Sequence, residues 1–245
     1  MRRTAQAKPI ERIIMTKKFI YPSFAALALV FTTTKALALT IDRASCEKIK
    51  IGHAAEVLQN TLAWLPTLKG VGEASVYHNK IFNGDVSGAV YKKYLESRIE
   101  SIVCITAADA RDKDGQQTGG NYLNGIVSIS EDFLAGPSTP KSRLELLTFL
   151  IHEATHHDAD HIECHDPKNR AIIIRECDAD YRGSNAVSAI FLYNLAKHCT
   201  NCLSNDRNSS LYEYETLFFD GLAWLDWVEG NDNDLLRRDA GFFNL

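Results

Sequence analysis

Two histidines four residues apart, with a glutamate beside the first, are the residues of this 245-residue chain best suited to chemistry. His152-Glu153-Ala154-Thr155-His156 lies in the stretch from Leu146 to His156. On a helix, residues four apart share a face, so two imidazoles can point at one metal ion. Glu153 then sits beside the open coordination position, where a carboxylate can act as general base towards a metal-activated water. Zn2+ suits the site best, because two imidazoles leave room for a carboxylate and a water in a tetrahedral sphere.

The element that must carry the pair reads as a helix. Thr139-Pro140 offers an N-cap with proline at the first helical position, and Ser142 with Glu145 can form a capping box. Leu144, Leu147 and Ile151 follow at helical spacing. The third ligand must come from elsewhere. A helix over residues 175–199 would place Glu176, Asp180, Gly183, Val187, Ile190 and Phe191 on one apolar face. Glu176 would then point inward, where a metal ion compensates its charge. Asp180, one turn on, can accept the free N–H of a ligand histidine and orient its ring. Asp178 and His161 are the alternative third ligands, ranked after Glu176 in that order.

His152-Glu153-x-x-His156 followed by Glu176-x-x-x-Asp180 resembles the thermolysin-type gluzincin metallopeptidases. The resemblance runs from about Gly119 to Cys199, and Glu176, twenty residues after His156, matches the thermolysin-like spacing. It implies two histidines and a glutamate on zinc, an aspartate behind a ligand histidine, and peptide-bond hydrolysis. The histidine and tyrosine that stabilise the oxyanion in that family have no mapped counterpart, so Tyr181, Tyr193, His198 and His161 are the candidates. The chain is also similar to uncharacterised exported bacterial proteins with a His-Glu-x-x-His helix and a later Cys-Asp pair, a likeness that favours Asp178. Metzincin-type sites place a third histidine six residues after the second, following a glycine. His161 is five on, without one.

The start of the chain reads as an address. From Met15, the expected true start, Lys17-Lys18, an apolar run from Phe19 to Phe31 and Ala36-Leu37-Ala38 give the three parts of a secretory signal peptide. The run is short and interrupted for a membrane span. Residues 1–38 are thus expected to be a leader, and residues 39–245 one zincin-like metallopeptidase domain, secreted or periplasmic. The leader holds seven basic residues against Glu11, a net +6, so the whole-chain charge of −4 leaves −10 for residues 39–245. Such acidity, with basic residues scattered, argues against nucleic acid and against an anionic membrane surface once the signal is removed.

All six cysteines follow the leader, and an even count in an exported chain implies disulfides. Cys164 and Cys177 bracket the loop between the ligand segments, Cys199 and Cys202 can close a local bridge, and Cys46 and Cys104 are the remaining candidates.

The expected fold class is α+β: a mostly helical domain with a small sheet packed on the motif helix. Helices are expected over 44–65, 86–100 and 211–228. Strands are expected at 74–78, at 101–106, and at 121–130, where a strand can pair with an extended substrate. Trp224 and Trp227 read as packing residues, and the tail as docking through Phe242 and Phe243.

These features suggest an exported zinc metallopeptidase acting on peptide or protein substrates, with Glu153 as base. The alternatives are a non-catalytic exported zinc-binding protein and a zinc amidase acting on cell-wall peptides. Retention of Glu153 favours an enzyme, since a structural site has no use for it.

Overall fold

The structure is a computed structural model that describes residues 39–111, 115, 118–135, 140–166, 168–203, 208, 221 and 224–239. The leader, most of the helix expected at 211–228, Thr139, and the tail with Phe242 and Phe243 lie outside the described residues, as does the side chain of Ser142.

Strand β1 (Thr40–Ile41) leads into helix α1 (Arg43–Cys46), where Asp42 Oδ1 accepts from the amides of Ala44 and Ser45. The single helix expected over 44–65 is two. Residues 47–53 include Gly52, a poor helix former, and interrupt it before α2 (Ala54–Trp64). A short 3-10 turn with Pro66 follows, where the helix was expected to stop. The strand expected at 74–78 is instead helix α3 (Val76–Phe82). Ser75 caps it by accepting from His78 N, and Asn83 closes it in the left-handed conformation at φ 52°. Helix α4 (Gly88–Glu96) falls within the expected span.

Strand β2 (Ser101–Ile105) is where the β-branched run predicts it. Residues 121–130 are not one strand but a hairpin of β3 (Gly120–Leu123) and β4 (Ile126–Ser130). Its turn is Asn124-Gly125, with φ of 49° and 84°. This dipeptide favours the tight turn whose twist matches paired strands, and it was the signal to read. The four strands form one sheet in the order β1-β2-β4-β3, with only β3 antiparallel to its neighbour.

After a short helix α5 (Glu131–Leu134), helix α6 (Pro140–Thr155) carries the motif. Leu144, Leu147, Leu150 and Ile151 are fully buried along it. Then come β5 (Ile162–His165) and β6 (Ile173–Cys177), a separate two-stranded antiparallel sheet, then α7 (Ser184–His198) and α8 (Gly230–Asp239). Every residue of α7 from Ser184 to Ala196 is buried. A helix apolar on nearly all sides belongs in a core, and α7 packs along α6 with Phe191 against Tyr91 of α4. The result is an α+β fold with a small mixed sheet and a second, smaller sheet. Among the described residues, no helix is long and apolar enough to cross a membrane.

Candidate metal centre

The apolar face of α6 fixes its rotation, and its last turn is clamped from the side. Thr155 Oγ1 is 2.8 Å from the buried Tyr94 hydroxyl of α4. Just beyond, Arg98 pairs with Asp158 at 2.7 Å while lying over the Tyr94 ring. His152, Glu153 and His156 therefore occupy the end of a helix held on two sides. His156 is set further by its Nδ1, 3.1 Å from the Ala159 carbonyl, which leaves Nε2 free.

Three imidazoles converge here. His152, His156 and His161 each bring one ring nitrogen within 4.8 Å of the others. Ring centroids are 5.1 Å apart for His152 and His156, 5.4 Å for His152 and His161, and 4.7 Å for His156 and His161. Trp224 presents a T-shaped contact to His152 at 4.8 Å, walling one side.

Burial sets the charge states. It pushes the His152 imidazole well below the ordinary histidine value, helped by the nearby His156 and His161, and it lowers His156 as well. Neutral imidazole is the form that binds a metal. Burial also raises the Glu153 carboxyl to about 7, against a smaller opposing pull from His161. The buried Nδ1 atoms of His152 and His161 have no hydrogen-bond partner among the described residues. Three imidazole nitrogens around one point, with unpaired buried nitrogens among them, fit a divalent metal ion.

The helix expected over 175–199 is a correction. Ile172-Ile173-Ile174 suits a strand, and the chain stays extended through Cys177 before α7 starts at Ser184. Side chains in a strand alternate, so Cys177 turns inward and Glu176 is exposed. The structure therefore does not bring Glu176 to the imidazoles; its carbonyl accepts from Asn185 Nδ2 at 2.8 Å instead. Asp180 is not behind a histidine either. Its carboxylate is held by Arg182, which donates from Nε to both oxygens at 3.0 Å and from Nη2.

Asp178 is the carboxylate that goes inside. It is fully buried, and its Oδ1 lies 3.3 Å from His161 Nδ1, at ion-pair distance but without hydrogen-bond alignment. Its Oδ2 accepts from the Ala186 amide at 2.7 Å. The other oxyanion candidates have their own partners. Tyr181 packs on Tyr77, Tyr193 Oη accepts from Lys197, and His198 Nδ1 is 3.0 Å from the Val71 carbonyl.

Three cysteine pairs lie at disulfide distance: Cys46–Cys104, Cys164–Cys177 and Cys199–Cys202, with Cα separations of 4.7, 6.0 and 5.8 Å. The first ties α1 to β2. The second spans β5 and β6 between His161 and Asp178, as expected of a bridge across that loop. The third closes the end of α7. Disulfides are compatible with an oxidising, extracellular setting.

Comparison with protein-family models, with curated proteins and with solved structures finds no match for this chain. Function must therefore be argued from the site.

Proposed function

We propose that this chain is an exported zinc-dependent peptidase, with His152, His156 and His161 holding the ion and Glu153 as general base. The observation that carries the reading is the convergence of three imidazole nitrogens within 4.8 Å, next to a glutamate that is 6% exposed. A purely structural site would close with a fourth protein ligand and would gain nothing from a buried carboxyl beside it. When bound, zinc supplies Lewis acidity to a water and to the scissile carbonyl. The chain does the rest. Burial holds the Glu153 carboxyl near neutrality, so it can take a proton from the water and return it to the leaving amine.

A peptide fits better than a small substrate because of β3. Among the described residues this strand is the outer one of its sheet, bonded on one side by β4. It also lies beside α6: a side chain at Gly120 would strike Phe149, and Tyr122 lies 6.5 Å from His157, centroid to centroid. Its free edge can pair with an extended substrate backbone, giving affinity with little sequence preference. The leader sequence and the cysteine pairs support export.

Digestion of a peptide library by the native protein and by Glu153→Gln, with zinc measured in both, tests the proposal. Cleavage by the native protein that is lost in a zinc-loaded variant supports it. Zinc without cleavage in the native protein points to the non-catalytic alternative, and cleavage confined to cell-wall peptides points to the amidase.

A further inference from the structure

We infer that Asp178 is a positioning residue for this centre, acting through His161 and tying the third ligand to the start of helix α7. The inference rests on the metal-centre reading above and adds to it a residue that touches no metal. Four observations converge on this carboxylate. It is completely buried, and its Oδ1 lies 3.3 Å from His161 Nδ1. Its second oxygen accepts from the Ala186 amide at 2.7 Å, and Asn185 Nδ2 approaches Oδ1 at 3.4 Å. Its backbone is pinned as well, the amide to the Trp227 carbonyl and the carbonyl to the Glu229 amide, both at 2.8 Å. Finally, Gly183 makes room for it: a Cβ there would collide with Asp178 Cβ and Cγ and lie 2.6 Å from Oδ1.

Gly183 is the N-cap of α7 and has no side chain to satisfy the orphan amides of the first turn. Asp178 supplies that acceptor from outside the helix, where the helix dipole also favours a negative charge. The same carboxylate faces a ligand histidine, and the first turn of α7 thereby fixes where the third imidazole stands. A proton kept on Nδ1 by the carboxylate 3.3 Å away would leave the Nε2 lone pair of His161 for the ion. Its neighbour there, Ser184 Oγ at 3.4 Å, is at the long limit of a hydrogen bond and would yield to a metal. A carboxylate behind a ligand imidazole fixes its tautomer and raises its basicity, and removing one lowers metal affinity about 10- to 100-fold.

The test is a double-mutant cycle on zinc affinity, read by competition with a chromophoric chelator on the full disulfide-bonded chain. Asp178→Asn keeps an acceptor for the Ala186 amide and removes the charge facing His161. It should weaken zinc binding about 10- to 100-fold. In a His161→Ala background the same change should have no further effect, because the residue it acts through is gone. Gly183→Ala is a second perturbation that removes no polar group but displaces the carboxylate. It should weaken zinc binding in the native background and not in His161→Ala. Native affinity in Asp178→Asn overturns the inference, as does an additive loss in the double variant, which would make Asp178 a ligand in its own right. In both cases the native protein still binds zinc, so the proposed centre stands. A native protein that binds no zinc removes the centre and this role with it.

Discussion

Glu153 is the residue whose environment most plainly disagrees with its chemistry. A carboxylate placed beside a helix end with almost no solvent contact is destabilising unless something compensates its charge. In the metal-free protein its folded carboxyl sits near 7 against an ordinary 4.5, so the fold binds that proton more tightly than the unfolded chain does. The associated stability is fully present below about 4.5 and is lost as pH rises through about 7. Glu153→Gln, which is neutral throughout, should therefore gain on the native apo protein over that window. The gain should plateau above pH 7 at up to about 3 kcal/mol, read from denaturant unfolding. The histidines have the opposite sign. Burial depresses His152 and His156, so their neutral forms favour the fold above about 6.5 and that contribution falls away in acid. Bound zinc should be released in acid, and at a lower pH than ordinary histidines would allow, because protons and metal compete for the same nitrogens; equilibrium dialysis across pH checks this.

At the scale of elements, what positions the third histidine is a small two-stranded sheet. A lone pair of strands is marginal in water, and here a cysteine pair links Cys164 to Cys177 across β5 and β6. Replacing both with serine should lower stability by about 2–4 kcal/mol and weaken zinc binding, while the paired histidines of α6 stay in place. Thermal unfolding with and without zinc would show both effects; an unchanged zinc affinity would mean that α6 and α7 alone set the geometry.

This is also where the sequence was hardest to read. The helix of the motif was legible because Leu144, Leu147 and Ile151 repeat with the right period. The cysteine pairing across the loop was legible from position alone. The third ligand was not. Reading residues 175–199 at 100° per residue placed Glu176 inward, but three isoleucines keep the segment extended through Cys177, and alternation turns Glu176 out. The inward carboxylate is Asp178, one residue past the end of β6, where its backbone pairs with Trp227 and Glu229 and its side chain is buried. Two other errors have the same origin. Asn124-Gly125 divides one expected strand into a hairpin, and Ser75 with Asn83 caps a helix where a strand was expected. In each case a local cap or turn signal outweighed the average propensity of the window.

For the molecule as a whole, stability concentrates on α7, which is buried along nearly its whole length and contacts both hydrophobic clusters. One cluster joins it to α2, α4, the sheet and α6. The other joins Ala186, Ala189 and Ile190 to Leu225, Val228 and Leu236. The site lies between the end of α6 and the start of α7, so packing between these helices is also what sets the metal geometry. Phe191, fully buried against Tyr91, should be among the most sensitive positions. Phe191→Ala should cost about 3–5 kcal/mol in denaturant unfolding, with a loss of that size leaving the fold marginal.

The central claim is that His161, rather than Glu176, completes the set begun by His152 and His156. Zinc content and affinity of the purified chain, measured side by side for His161→Ala and Glu176→Ala, test it most directly. The account predicts one zinc per native chain, a large loss of affinity in His161→Ala and native binding in Glu176→Ala. Native binding in His161→Ala together with loss in Glu176→Ala would contradict it.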